Sequence, residues 1–284
     1  MEHLYSGDRV ELFRISPRIL FRKGDLHGRL QCNSYFIESA DGVCIVDPAS
    51  MEASGEMREE ISSFTGKPLR YVFMTHNHLD HAAGLAGFIT EAPTVFCSHR
   101  CAEDVRRSVD GRLNVVGVDG TASLHLNGAT VELEDLRENA HSPWDMLVHI
   151  AEDRAVCTGD LVAEFCNLYF HAAVPERWIA ILRKLSNGRD DVVLPGHGEP
   201  CGREMFGETA NFIGHLLDCA GRLMDVNYPP EEALKADAPA LNRIVGEFLA
   251  GNSADAETIS RGGGGDAHRL LFMMLRNLLG RRFY

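Results

Sequence analysis

No stretch of this sequence approaches the ~18 consecutive apolar residues of a membrane-spanning helix, so no membrane span is expected. The opening residues, MEHLYSGDRVELFRISPRIL, hold no apolar core of signal-peptide length. Cys-x-x-Cys pairs are missing as well: the eight cysteines, Cys32, Cys44, Cys97, Cys101, Cys157, Cys166, Cys201 and Cys219, lie scattered. An even count frames disulfides only in a secretory setting. The thiols therefore read as reduced small hydrophobes, and the protein as cytoplasmic. Positive charge is also short, with 28 Lys and Arg against 41 Asp and Glu and a net charge of -13. That balance disfavours nucleic acid and anionic membranes as partners, since both reward a basic face. There is no internal repeat, and the one low-complexity tract, Gly262 to Gly265, reads as a flexible break.

What is present is an ordinary globular composition. With 284 residues, 45% hydrophobic and 24% charged, the chain is long enough for a sizeable core, as one large domain or a domain with an appendage. SYFIE and VCIVD flank Asp41-Gly42 and predict a hairpin over 34–47. LRYVFMT is a near-continuous apolar run that predicts a buried strand, and TVFCS another. DHAAGLAGFITEA, between them, predicts a helix ending before Pro93. ATVELEDLREN alternates and predicts a strand or pair of strands, and DMLVHIAEDRAVCTGD predicts a second hairpin turning at Glu152 to Arg154. ERWIAILRKLSNG has the spacing of an amphipathic helix capped by Gly188. DDVVLPGHG is a last strand running into a glycine-rich loop.

From about Gly202 the apolar spacing turns helical. EMFGETANFIGHLLDCAGRLMDV is one helix. PPEEALKADAPALNRIVGEFLAG reads as a short helix, a break at Pro239 and a second helix, and DAHRLLFMMLRNLLGRRF closes the chain. The expected organisation is an α/β domain over 1–205 and a helical region over 206–284.

VFMTHNHLDHAAGLAGF, from Val72 to Phe88, crowds three histidines and one aspartate into six positions behind an apolar run. His76 and His78 are two apart, so on extended backbone both face one way and can meet one ion. Asp80 and His81 follow where strand gives way to helix, and the turn there can aim them at a second. His141, Asp160 in VCTGD and His197 in VVLPGHG also stand just beyond apparent strands, where loops present side chains to a cleft. Imidazole with carboxylate suits zinc, iron or manganese. Five histidines and two aspartates exceed one four-coordinate site and match two ions sharing a carboxylate. Any single histidine is better read as structural, and His3, His27, His99, His125, His149, His215 and His268 are left so. Phe165, Tyr169 and His171, downstream of Asp160, are candidates for a substrate pocket as much as for packing.

THNHLDH matches the Thr-His-x-His-x-Asp-His pattern of the metallo-β-lactamase superfamily, and His141, Asp160 in TGD and His197 in PGHG recur in the family's order. The sequence resembles that superfamily over about its first 205 residues, above all the glyoxalase II type with both metal sites complete. The resemblance implies a four-layer αββα sandwich with an appended C-terminal helical region. It implies that His76, His78 and His141 hold one divalent ion, that Asp80, His81 and His197 hold a second, and that Asp160 bridges them. Asp47, closing VCIVD, matches a family aspartate that stands behind the ligands or orders a loop. Zinc is the first expectation for both ions, with iron or manganese as alternatives.

Two departures stand out. HSPWD puts Trp144 where many members carry a small residue, so the pocket wall is bulkier or Trp144 turns to the core. The C-terminal helices lack the basic residues that glyoxalase II uses for a glutathione thioester, GRRF being their only basic cluster. The helical tail and GDLVAEF are similar in layout to the thioesterase of bacterial quinolone signalling.

The implied activity is hydrolysis of a small-molecule ester, thioester or lactone by a metal-bridging hydroxide formed near neutral pH, with Asp80 orienting the nucleophile. Phosphodiester cleavage, a persulfide dioxygenase-type iron oxidoreductase and a weakly catalytic metal-containing regulatory protein are the alternatives. His78 speaks against the di-iron flavoproteins, where a carboxylate usually replaces it. The expected partners are a small-molecule substrate and a second copy of the chain, docked through the C-terminal helices and their apolar stripe LLFMMLRNLL. Those helices alternatively cap the cleft or supply the pocket.

Overall fold

Short apolar segments separated by turns build two β-sheets. A computed structural model describes residues 1–7, 10–24, 32–163, 168–227, 238–262 and 266–281, in two units. The first unit comprises Met1–Glu138, Pro143–Val162 and Arg189–Arg203. Its first sheet has eight strands in chain order: β1 (Glu2–Ser6), β2 (Glu11–Arg14), β3 (Ile19–Lys23), β4 (Ser34–Ser39), β5 (Gly42–Val46), β6 (Leu69–Phe73), β7 (Thr94–Ser98) and β8 (Val115–Val118). Neighbours are antiparallel as far as β5 and parallel from β5 to β8. The second sheet holds β9 (Thr121–Leu126), β10 (Ala129–Asp135), β11 (Met146–Ile150), β12 (Ala155–Gly159), β13 (Val192–Pro195) and β14 (Cys201–Gly202), ordered β14-β13-β12-β11-β10-β9. Only β12 and β13 are parallel there.

Burial follows the pairing. All of β5 is buried, as a strand covered on both faces should be. β10 alternates, with Ala129, Val131, Leu133 and Asp135 buried and Thr130, Glu132 and Glu134 half-exposed, so only one face meets the core. The sheets pack face to face through Phe21, Tyr35, Ile37, Val46 and Phe73 with Val131, Leu133, Met146 and Val148. On its other face the first sheet presents Phe36, Ile45 and Val72 to Met57 and Ile61 of α1 (Met51–Phe64) and to Leu85 and Phe88.

The helix expected over DHAAGLAGFITEA is shorter. It is one turn, α2 (Leu79–Ala82), followed by 3-10 winding over Ala83–Phe88. A Cβ added at Gly84 or Gly87 would lie 2.0 Å from the Pro48 carbonyl or the Ser54 hydroxyl. That close approach to the loop after β5 and to α1 holds the segment in its tighter form. α3 (Ala102–Ser108) completes the helical cover through Val105.

The second unit comprises Asn139–Ser142, Ala163–Gly188 and Glu204–Tyr284. It contains α4 (Pro175–Leu185), α5 (Glu204–Asn227), α6 (Ala238–Gly251), α7 (Ser253–Gly262) and α8 (Ala267–Arg281). α5 packs against both α4 and α8. α4 caps at Ser186 rather than Gly188, because the Ser186 N–H already reaches the Leu182 carbonyl. Pro239 stands in the first turn of α6, where its missing N–H leaves no bond unmade. The short helix expected over 229–237 lies outside the described residues, as does most of the four-glycine tract. Leu270, Leu271, Met274 and Leu275 of the apolar stripe are buried within the chain itself. Among the described residues no helix is long and apolar enough to cross a membrane.

Candidate metal centre

The site is assembled from residues that follow four strands. β5 and β6 are parallel, as are β12 and β13, and ligand sites form beyond the carboxyl ends of such strands. Asp47 follows β5. Thr75, His76 and His78 follow β6 and lead into α2 with Asp80 and His81. Asp160 follows β12 and His197 follows β13.

Asp160 divides its two oxygens. Oδ1 lies 3.2 Å from His81 Nε2 and 3.5 Å from His197 Nε2, and Oδ2 lies 4.0 Å from His76 Nε2. Asp80 Oδ2 is 3.2 Å from His197 Nε2 and 3.7 Å from His81 Nε2. His76 Nε2 and His78 Nδ1 are 3.0 Å apart. Donor atoms held by one tetrahedral ion at ordinary metal–ligand lengths stand roughly 3.3–3.6 Å from one another, so these spacings suit cations. Asp80, His81 and His197 form one such group, and His76, His78 and Asp160 fall within another.

Asp47 fixes the geometry from behind. Its backbone is left-handed, φ 55°, a conformation a non-glycine residue keeps only when its surroundings enforce it. Oδ1 accepts the Thr75 N–H at 2.7 Å, and Oδ2 accepts the Thr75 hydroxyl at 2.6 Å and faces His81 Nδ1 at 2.8 Å. A carboxylate there makes Nδ1 the protonated nitrogen and leaves a lone pair on Nε2. His81 Nε2 is buried and makes no hydrogen bond among the described residues. A buried acceptor facing carboxylate oxygens is costly unless a cation lies between them, so the residues fit a divalent metal.

Electrostatics agree. Burial disfavours charge on His81, yet the Asp160 and Asp47 carboxylates beside it raise it well above its ordinary value. Burial opposes His197 too, but Asp160 and Asp80 raise it. Burial works upward on Asp80, while the His197 hydrogen bond and the nearby His81 bring it below the usual carboxylate range. Cys32, buried beside His81, is pushed up to about 11 by burial and is a neutral thiol at pH 7.

Sequence reasoning misses several supports. Asn33 Nδ2 donates to the carbonyls of Pro195 and Gly198 at 3.0 and 2.7 Å, its N–H donates to Gly196 at 2.7 Å, and the Tyr35 hydroxyl donates to Pro195 at 2.8 Å. These bonds pin the loop carrying His197, and no motif announces them. Gly196 is a packing requirement: a Cβ there would sit 2.5 Å from Asp160 Oδ1 and 2.6 Å from His81 Cε1.

Of the other sequence-derived candidates, Trp144 meets His78 edge-on, 6.4 Å between ring centres, and packs on the first unit's core. In the second unit His141 is buried and meets Trp178 edge-on at 5.3 Å. Tyr169 and His171 stack at 6.0 Å in the same unit. Phe165 lies outside the described residues.

Residues 27–197 match the family model of the Metallo-beta-lactamase superfamily. A linear primary-alkylsulfatase from a Pseudomonas species is 21% identical over 255 residues, covering 70% of this chain and 48% of that protein. A hydroxyacylglutathione hydrolase from Ruegeria pomeroyi is 28% identical over 169 residues, 58% of this chain and 61% of its own length. The chain thus spans about half to three fifths of the length of the curated relatives it matches. A metallo-beta-lactamase from Pontibacter korlensis has a TM-score of 0.65 at 18% identity, over 72% of this chain and 99% of that one. This likeness shows the fold, the αββα sandwich, and α5 to α8 make up the C-terminal helical region.

Proposed function

The chain belongs to the metallo-β-lactamase superfamily, and we propose that it is a metal-dependent hydrolase of a small-molecule ester, thioester or lactone. The observation that carries this reading is the divided carboxylate of Asp160, with one oxygen toward His81 and His197 and the other toward His76. His76, His78 and His141 would hold one divalent ion and Asp80, His81 and His197 a second, with Asp160 shared. Zinc is the first assignment, iron or manganese the alternatives. Such ions supply Lewis acidity and bring the pKa of water toward neutrality.

The protein's own groups do the rest. Asp80, held below the ordinary carboxylate range, stays ionised, and the oxygen it does not give to the ion would accept a hydrogen bond from the attacking water and orient it. Asp47 keeps the His81 proton on Nδ1. Asn33 and Tyr35 hold the His197 loop, and Trp144 gives the His78 side an apolar wall. The chemistry is assigned to residues 1–205, and substrate selection or self-association to the helices of 206–284. A cytoplasmic location accords with the seven described cysteines, all free thiols.

A second reading, cleavage of a primary alkyl sulfate, is favoured by the alkylsulfatase match, which covers more of this chain than the hydroxyacylglutathione hydrolase does. Elemental analysis of the purified protein, followed by turnover of an acyl-glutathione thioester, p-nitrophenyl acetate, γ-butyrolactone, bis(p-nitrophenyl) phosphate and dodecyl sulfate, tests both. We expect close to two ions per chain and acyl hydrolysis that disappears in His78→Ala and Asp160→Ala. Full turnover in metal-depleted variants refutes the proposal, and cleavage of dodecyl sulfate alone selects the second reading.

A further inference from the structure

The second unit encloses a cavity of about 690 Å³, within the roughly 300–1,000 Å³ of small-molecule sites. Asn139, Tyr169 and residues 171–174 line it together with α8. Its charge is unusual for this chain. In a protein of net charge -13, none of the described residues lining the cavity is acidic, and one, Arg276, is a cation. Most arginines here are paired with carboxylates. Arg276 forms no ion pair among the described residues, and its guanidinium lies over Phe272 at 5.9 Å. An exposed guanidinium with no carboxylate among the described lining residues is suited to receive an anion.

The walls define the remainder of the ligand. The stacked rings of Tyr169 and His171 offer a flat face, with Tyr169 45% exposed. Phe272 and Met273 continue the apolar surface. Asn277 ties the walls together, its Nδ2 donating to the carbonyls of Phe170 and Ala173 at 2.6 and 2.9 Å. Those bonds fix the amide orientation and leave Asn277 Oδ1 buried without a hydrogen-bond partner among the described residues. A buried acceptor left unmet costs about 1–3 kcal/mol, and a ligand N–H or O–H would remove that cost.

We propose that this cavity binds a small molecule with a flat apolar body, one anionic group and one hydrogen-bond donor, and that Arg276 recognises the anion. Asn139, also on the lining, precedes the proposed ligand His141 by two residues. The inference rests on the proposed hydrolase only in identifying this ligand as the substrate, and the binding stands apart from it.

Fluorescence titration of the metal-loaded full chain with 6-hydroxynaphthalene-2-sulfonate and with neutral 2-naphthol tests it. The sulfonate should bind about ten-fold more tightly than the naphthol. Arg276→Gln should abolish that preference, Arg276→Lys should keep part of it, and His78→Ala should leave it intact. Arg276 is exposed, and an unchanged melting temperature confirms folding. Equal binding of the two probes, or a preference that survives Arg276→Gln, overturns the inference. A preference lost in His78→Ala but kept in Arg276→Gln also overturns it, by moving the anion to the metal centre. If no ester, thioester or lactone is hydrolysed while the preference depends on Arg276, the proposed function fails and this inference holds.

Discussion

Asp47→Asn isolates the contribution of a residue that ligates nothing. Asp47 is 2% exposed, and its Oδ2 faces His81 Nδ1 at 2.8 Å. Asparagine keeps the shape, and its oxygen can still accept the Thr75 N–H. Its NH2 group then points at His81 Nδ1 and donates to it, which moves the imidazole proton to Nε2. That nitrogen lies 3.2 Å from Asp160 Oδ1 and 3.7 Å from Asp80 Oδ2, and once protonated it has no lone pair for a cation. Losing a group that orients a ligand lowers metal affinity about 10–100-fold, or about 1.4–2.8 kcal/mol. The effect should fall on the ion of the Asp80, His81 and His197 group and spare that of His76 and His78. Chelator competition resolves the two ions: the variant should release one of them at about 10–100-fold lower chelator than the wild type. A folded Asp47→Asn protein that keeps both ions at unchanged affinity refutes the argument.

Gly196→Ala would place a methyl 2.5 Å from Asp160 Oδ1 and 2.6 Å from His81 Cε1; elemental analysis should show at least one ion lost, and full metal content would count against the assignment. Glu60→Ala leaves Arg22, 0% exposed and now bonded only to Glu56, short of its buried partner; denaturant unfolding should show a loss of about 3 kcal/mol, and a loss below about 1 kcal/mol would refute the pairing. His149 gives a pH test away from the metals. Burial and Arg189 work against its charge, but the hydrogen bond to Asp190 and the Glu134 carboxylate 3.6 Å from Nε2 raise it above its ordinary value. A raised folded value means protonation stabilises the fold, fully below the unfolded value near about pH 6.5 and decreasingly as pH rises through the folded one. His149→Gln should therefore cost more stability at about pH 6 than at about pH 9, and equal costs at both would contradict the sign.

Most ligand positions are legible because they break a pattern. Polar residues crowded behind LRYVFM oppose the burial of that run, and Asp47, Asp160 and His197 each close an apolar strand. Asn33 is illegible because its partner Pro195 is 162 residues away in the chain, and local spacing encodes no such pairing. The β9–β10 hairpin carries an Asn-Gly signal at Asn127-Gly128, with Gly128 at φ 96°. Its first strand, TASLHL, is half exposed and has no apolar run to reveal it. The small residues of DHAAGLAGF favour a helix, and contacts at Gly84 and Gly87 shorten it, an instance of packing overriding propensity.

Imidazole and carboxylate gather at two other places, and charge separates them from the metal centre. His99, Asp119 and Asp135 form one group and His215, Cys219 and Asp255 another. Arg100 reaches Asp135 and Arg137 reaches Asp119. Arg222 bonds both Asp255 and Cys219. In each a guanidinium already supplies positive charge, and an entering ion would have to be held beside it. At the metal centre the carboxylate oxygens of Asp47, Asp80 and Asp160 face imidazoles instead. Imidazoles bring charge only by taking up protons, and the carboxylates raise His81 and His197 in that direction. Divalent ions supply that charge while leaving the imidazoles neutral, so proton and metal compete for one set of lone pairs, and a group whose carboxylates face imidazoles is the one suited to hold metal.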